Sequence, residues 1–205
     1  MTRRYLFKSL ILITFFSAWG FQAARAESPD HVAKAFQQQL LETMKEAKSL
    51  TAEQRYKRLE PSVSMTFHLP LMTRIATGSF WKSASKEQKK NLIAAFRRMS
   101  VSTLATLFDS YKGESFKSYG ATPGPRQLQV VKTEMLRPNK KAVPITYISK
   151  KFKNRWYLID VIVDDGISEL KVRRSEYRGI LKQKGIKGLI EALNNKADEL
   201  MKPKQ

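Results

Sequence analysis

Few residues in this chain could do acid–base, nucleophilic or metal chemistry. Among its 205 residues there are two histidines, His31 and His68, and no cysteine. His31 falls in the first turn of a predicted helix, and His68 sits among apolar neighbours just ahead of Pro70. Neither has a recognisable metal-ligand spacing, so both read as surface or core histidines. The chain contains no G-x-S-x-G elbow, phosphate loop or H-E-x-x-H. Asp164-Asp165-Gly166 opens like a calcium loop but lacks the alternating acids and the terminal Glu, and reads as a tight turn. Asp160 is the single acid in an apolar run and needs a buried partner, an arginine or a backbone donor. It is expected to be structural. The lack of cysteine also removes thiol chemistry and cysteine-based metal sites. These residues predict a protein that is not an enzyme, with no catalytic residue, no metal and no cofactor. A lipid-modifying enzyme stays open as an alternative, disfavoured by the missing nucleophile–base signature.

The positive charge points to a partner rather than a reaction. Lys and Arg number 38 against 18 Asp and Glu, a formal +20. Residues 1–26 read as a secretory signal. Arg3, Arg4 and Lys8 precede an apolar run from Leu10 to Trp19, and Ala24-Arg25-Ala26 is a small-x-small cleavage site. That run is shorter than the roughly 20 residues a span needs. Cleavage after Ala26 would start the exported chain at Glu27. The segment holds four basic residues and no acid, so +16 of the +20 falls on residues 27–205. A charge of this size suits an anionic membrane surface, an acidic protein or nucleic acid. Export makes nucleic acid the least fitting of the three. A basic surface with no specific partner is the plainer alternative.

The elements that must position any site follow from periodicity. Ser28-Pro29 reads as a helix start, with Val32, Phe36, Leu40 and Met44 at helical spacing behind it. A short helix is expected over Thr51 to Arg58, with Pro61 and Pro70 breaking the chain around Val63–Leu69. Another helix around Met72 and Ile75 is closed by Gly78. The clearest helix spans Lys86 to Tyr111, opened by a Ser85/Gln88 capping box and carrying Leu92, Phe96, Met99, Leu104 and Phe108 on one broad face. Four strands are predicted, over 114–120, 126–136, 142–152 and 155–163. Their links are short and turn-like, which implies antiparallel pairing. Helices return over 174–184 and 186–201, with Gly185 between them. The order gives one α+β domain over 27–205: helices over 27–112, a four-stranded antiparallel curved sheet over 113–163, and C-terminal helices over 164–205.

The run Arg155-Trp-Tyr-Leu-Ile-Asp-Val-Ile-Val163 is the most informative strand. Strict alternation puts Trp156, Leu158, Asp160 and Ile162 on one face and Tyr157, Ile159, Val161 and Val163 on the other. Both faces are largely apolar, which means a strand buried on both sides or one that lines an apolar cavity.

Three blocks resemble the toluene-tolerance family, whose best-known branch is the periplasmic phospholipid carrier of the Mla lipid-asymmetry pathway. They are Thr66 to Trp81, Ser85 to Arg97 with Tyr111-Lys112-Gly113, and Trp156–Asp160 with Gly166-Ile-Ser168, Arg174-Ser-Glu-Tyr177 and Gly185 to Ile190. The stretch Ile167 to Tyr177, together with Phe67-His-Leu-Pro70, is closer to a branch associated with hopanoid biosynthesis. The resemblance implies a non-catalytic lipid-binding carrier in the periplasm that moves phospholipid or hopanoid-type lipid between the inner and outer membranes. Its implied partners are an inner-membrane ABC-type transporter complex and an outer-membrane acceptor. An envelope interaction module without lipid cargo is the alternative. The implied fold encloses an apolar pocket. On this reading the lipid tails meet Phe67, Met72, Ile75 and Trp81 from the first block and Phe96, Met99, Leu104 and Phe108 from the long helix. Trp156, Leu158 and Ile162 from the last strand and Tyr177 complete the set.

Overall fold

The computed structural model describes residues 27–164 and 166–202. The predicted signal segment, 1–26, lies outside the described residues. Helix α1 (Pro29–Lys45) starts as expected, the His31 amide donating to Ser28 Oγ at 3.1 Å. Helix α2 covers Ala52–Thr66, α3 Leu69–Thr77, α4 Phe80–Ser83 and α5 Lys86–Leu107. Strands β1 (Ser115–Pro123), β2 (Gln129–Arg137), β3 (Lys140–Phe152), β4 (Arg155–Val163) and β5 (Ile167–Ser168) follow, and α6 (Glu169–Met201) ends the described chain.

The α+β architecture agrees with the sequence, but the antiparallel sheet has five strands rather than four, in the order β1-β2-β3-β4-β5. The sheet therefore runs on past residue 163. Strand β5 is two residues long, too short to leave a period-2 pattern. It pairs with β4 through Ile162↔Ser168 and Val163↔Ile167. The turns at Pro138-Asn139 and Lys153-Asn154 are the tight links the sequence suggests, with Asn139 and Lys153 both at positive φ.

Three helices differ from expectation: α5 stops at Leu107, where Phe108 caps it in a non-helical conformation, rather than reaching Tyr111. Helix α2 does not stop at Arg58 but continues through Pro61. Pro61 is exposed, while Leu59, Val63 and Thr66 are buried on the opposite stripe. Tertiary packing of that stripe outweighs the hydrogen bond lost at the proline. Helix α6 begins at Glu169, five residues earlier than predicted, because Ser168 caps it and Asp160 holds its first turn. Asp160 carboxylate oxygens accept from the Leu170 amide (3.1 Å), the Val161 amide (2.8 Å) and Ser168 Oγ (2.6 Å). This is the backbone partner that the sequence required for a lone acid. Helix α6 then bends at Gly185 (φ 64°, ψ −164°), which divides it into arms 169–184 and 186–201. At the bend, a Cβ on Gly188 would lie 2.2 Å from Lys184 Cβ. Only glycine lets the second arm fold back so closely.

Strand β4 holds the main correction to the sequence reading. Asp160 faces Ile148 but Leu158 faces Ser149, so Ile159 has no partner and forms a β-bulge. One extra residue reverses the alternation. Trp156 and Leu158 therefore share a face with Val161, not with Asp160 and Ile162. The face of Trp156, Leu158 and Val161 joins Met135, Val143, Ile145 and Tyr147 against the helices. Ile162 lies on the other face and outside the core cluster.

Candidate functional site

Helix α1 lies on the inner sheet face. Its Phe36 ring stands edge-on to Phe67 (centroids 4.9 Å apart) and Tyr147 (6.4 Å). Gln37 Nε2 donates to Thr133 Oγ1 at 2.9 Å and to the Tyr147 hydroxyl at 3.3 Å. Thr133 in turn donates to the Ile145 carbonyl. These groups are buried and satisfied, and burial pushes the Tyr147 phenol up to about 12. The α2–α3 junction closes the β4 edge: Phe67 bridges to Leu158, and the His68 amide donates to the Leu158 carbonyl at 2.9 Å.

His68 is structural. Its Nδ1 accepts from the Leu71 amide at 3.1 Å as the cap of α3, and its ring stacks on Phe152 at 3.9 Å. Burial first, then the nearby Lys150 charge, hold its pKa below the ordinary 6.5. The unfolded chain therefore binds the proton more readily than the folded one. The stability from neutral His68 is complete above pH 6.5 and is lost as pH falls toward the lower folded value. His68→Asn keeps a capping acceptor without a titrating ring. The expected result is a shallower loss of urea stability between pH 7.5 and 5.5 than in wild type. Equal slopes would show that His68 does not titrate differently on folding.

The helices form a second layer. Helix α5 packs mainly on α6, α2 and α3. Between α5 and both arms of α6 runs a groove of about 420 Å³. Its wall is mainly apolar, with Met99 and Thr103 from α5, Tyr177 and Ile180 from the first arm, and Leu189, Ala192, Leu193 and Leu200 from the second, and Arg173, Glu176 and Lys196 also line it. Met99, Tyr177, Leu189 and Leu193 are also members of the buried core, so the groove floor is the core itself. Burial raises the pKa of the Tyr177 phenol.

Arg173 stands at the rim of this groove. Its side chain is 15% exposed, with Nη1 3.2 Å from Met99 Sδ and 3.4 Å from the Tyr177 hydroxyl. The guanidinium lies 5.5 Å over the Phe96 ring. Its carboxylate partner, Glu169, is 3.9 Å away and half-buried. A nearly buried cation resting on sulfur and a ring face has N–H donors left to satisfy.

The twelve sequence-predicted residues divide clearly. Phe67, Met72, Phe96, Met99, Leu158 and Tyr177 are in the buried core, and Ile75, Trp81, Leu104, Phe108 and Trp156 pack against it. Ile162 does not join them, because of the Ile159 bulge. Only Met99 and Tyr177 line the groove. Sequence reasoning missed Ile180, Ala192 and Arg173. Leu189 and Leu193 fall in the helix predicted over 186–201, but which element they face depends on the bend at Gly185. Among the described residues there is no group of three metal-capable side chains. Among them too, no helix is long and apolar enough to cross a membrane.

Comparison with known proteins agrees with this architecture. The family model described as "MlaC protein" matches residues 34–195. Among solved structures, the chain is similar to a phospholipid-binding protein from Ralstonia solanacearum in complex with a phospholipid. The TM-score is 0.75 at 18% identity, covering 85% of this chain and 99% of that one. At that identity the likeness carries the fold.

Proposed function

This chain belongs to the MlaC protein family, and from that membership and its open apolar groove we infer that it is a non-catalytic lipid carrier of the periplasm. The observation that carries the reading is the groove between α5 and α6, whose floor residues are at once surface-accessible wall and core. A methylene is about the size of a water, whose share of liquid volume is ~30 Å³. A groove of 420 Å³ then takes about one acyl chain. The second tail enters the layer behind it as α5 and α6 part, toward the Phe67, Phe96, Leu158 and Trp156 side chains.

The energetics suit a carrier rather than an enzyme. Burying acyl chains gains about 0.8 kcal/mol per methylene, so two ordinary chains hold a lipid in a bilayer by more than about 20 kcal/mol. A protein interior of matching apolarity removes that barrier without chemistry. Direction must then come from docking partners, an inner-membrane ABC-type complex and an outer-membrane acceptor, which the basic surface would meet through charge. The phospholipid complex of the Ralstonia protein supports a phospholipid cargo, and a hopanoid-type lipid is the variant cargo that the sequence block 167–177 suggests.

Transfer between vesicles tests this reading. Donor vesicles carrying a self-quenched fluorescent phospholipid should lose it to acceptor vesicles at a rate proportional to protein concentration. A rate that does not change with added protein would leave only an interaction module.

A further inference from the structure

A second cleft, of about 310 Å³, opens on the other flank of the first α6 arm, where the α3–α4 turn faces Arg174 and Arg178. We propose that this cleft binds a phosphate group, held by the two guanidiniums. That the phosphate belongs to a lipid headgroup rests on the carrier reading above; the site itself rests on the cleft.

Arg174 and Arg178 are four residues apart on α6 and so point the same way, one turn apart. Among the described residues neither has an ion-pair or hydrogen-bond partner, whereas the neighbouring Arg173 has Glu169. No carboxylate lines the cleft; Glu176, the acid between them in sequence, lines the opposite groove. Two adjacent unpaired cations repel each other, and an anion between them removes that cost.

The turn opposite packs beside Arg174. Gly78 has φ 59°, and a Cβ there would lie 3.4 Å from Arg174 Nη2 and 3.6 Å from Nε. These are ordinary contact distances, so the Arg174 guanidinium lies beside the Gly78 backbone, whose positive φ is what favours glycine there. Ser79 lies beside it, and its hydroxyl makes no hydrogen bond among the described residues. A fork of planar donors plus a free hydroxyl matches the three or four acceptor oxygens of a phosphate.

The floor says why a lipid phosphate fits. Ala76 and Leu181 line the cleft and belong to the buried core. A phosphate in the cleft would sit in water directly above the apolar interior. The cleft also joins two of the sequence blocks singled out at the start, Thr66–Trp81 and Arg174–Tyr177.

The test is titration of the purified protein with two probes, followed by NMR at the arginine Nε–H groups: inorganic phosphate, and dihexanoyl phosphatidic acid below its micelle concentration. Both probes should shift the Arg174 and Arg178 signals, and the lipid should bind more tightly. The double variant R174Q/R178Q should weaken both by at least tenfold. Both side chains are exposed, so the variant should keep its circular dichroism and melting point. Phosphate binding lost in the double variant, with the lipid binding no more tightly than phosphate, would keep the cleft and fault the lipid reading. Absence of shifts at either arginine, or equal affinities in wild type and double variant, would overturn the proposal.

Discussion

Ala192→Trp should empty the protein of lipid while leaving it folded. Ala192 is half-buried on the groove wall, where a small side chain keeps about 420 Å³ open. An indole there occupies the space of several methylenes. Displacing even two of them loses about 1.6 kcal/mol at ~0.8 each, more than tenfold in affinity. The cost to stability is small. Helix propensity falls by roughly half a kcal/mol from alanine to tryptophan, and the ring lies in open groove rather than filled core. Co-purified lipid and vesicle transfer should both drop at least tenfold, with the melting point nearly unchanged. Full lipid loading in a folded Ala192→Trp protein would place the tails elsewhere.

Arg55→Met should give the largest loss of stability of any single polar replacement. Arg55 is buried where α2 meets the end of α5. Its Nε donates to the Ala105 carbonyl at 2.7 Å, and Nη1 donates to the Leu50 carbonyl at 2.6 Å and the Ala47 carbonyl at 3.4 Å. One side chain thus satisfies carbonyls from the last turns of α5 and from the link between α1 and α2. The positive charge also suits the C-terminal end of α5. Each buried carbonyl left unpaired costs about 1–3 kcal/mol, so the loss should be about 3 kcal/mol or more. For a domain of this length that is a fall in melting temperature of roughly 6–12 °C. Arg55→Lys should recover only part of it, since an ammonium cannot reach both helix ends in one plane. A change under about 1 kcal/mol would mean that water replaces the guanidinium easily.

Local chemistry was the most legible part of the sequence. The Ser85/Gln88 capping box forms as its residue types dictate, with reciprocal bonds of 2.9 and 3.1 Å. Ser28 caps α1 and Gly78 ends α3 for equally local reasons. The Ile159 bulge was not legible, because both faces of β4 are apolar and a slip in phase changes no pattern. The groove was half legible. Met99 and Tyr177 came from the right stripes, but the groove exists only because α6 folds back at Gly185 over Gly188. That bend brings Leu189 and Leu193 to Met99 across about ninety residues of chain. Arg173 and Arg178 read only as part of a basic composition, and Arg174 only as part of a block of family resemblance. Their different roles depend on where α6 starts, and that is set by Asp160 in another element.

The most direct test of the account is native mass spectrometry of the protein purified from its own host, with extraction and identification of whatever is released. The account predicts a chain carrying one lipid, its mass matching a phospholipid or a hopanoid-type lipid in the extract. The same preparation of Ala192→Trp should show the bare chain. A wild-type protein that flies at its bare mass, with no lipid in the extract and no transfer between vesicles, would contradict the carrier reading and leave a folded envelope module with a filled core.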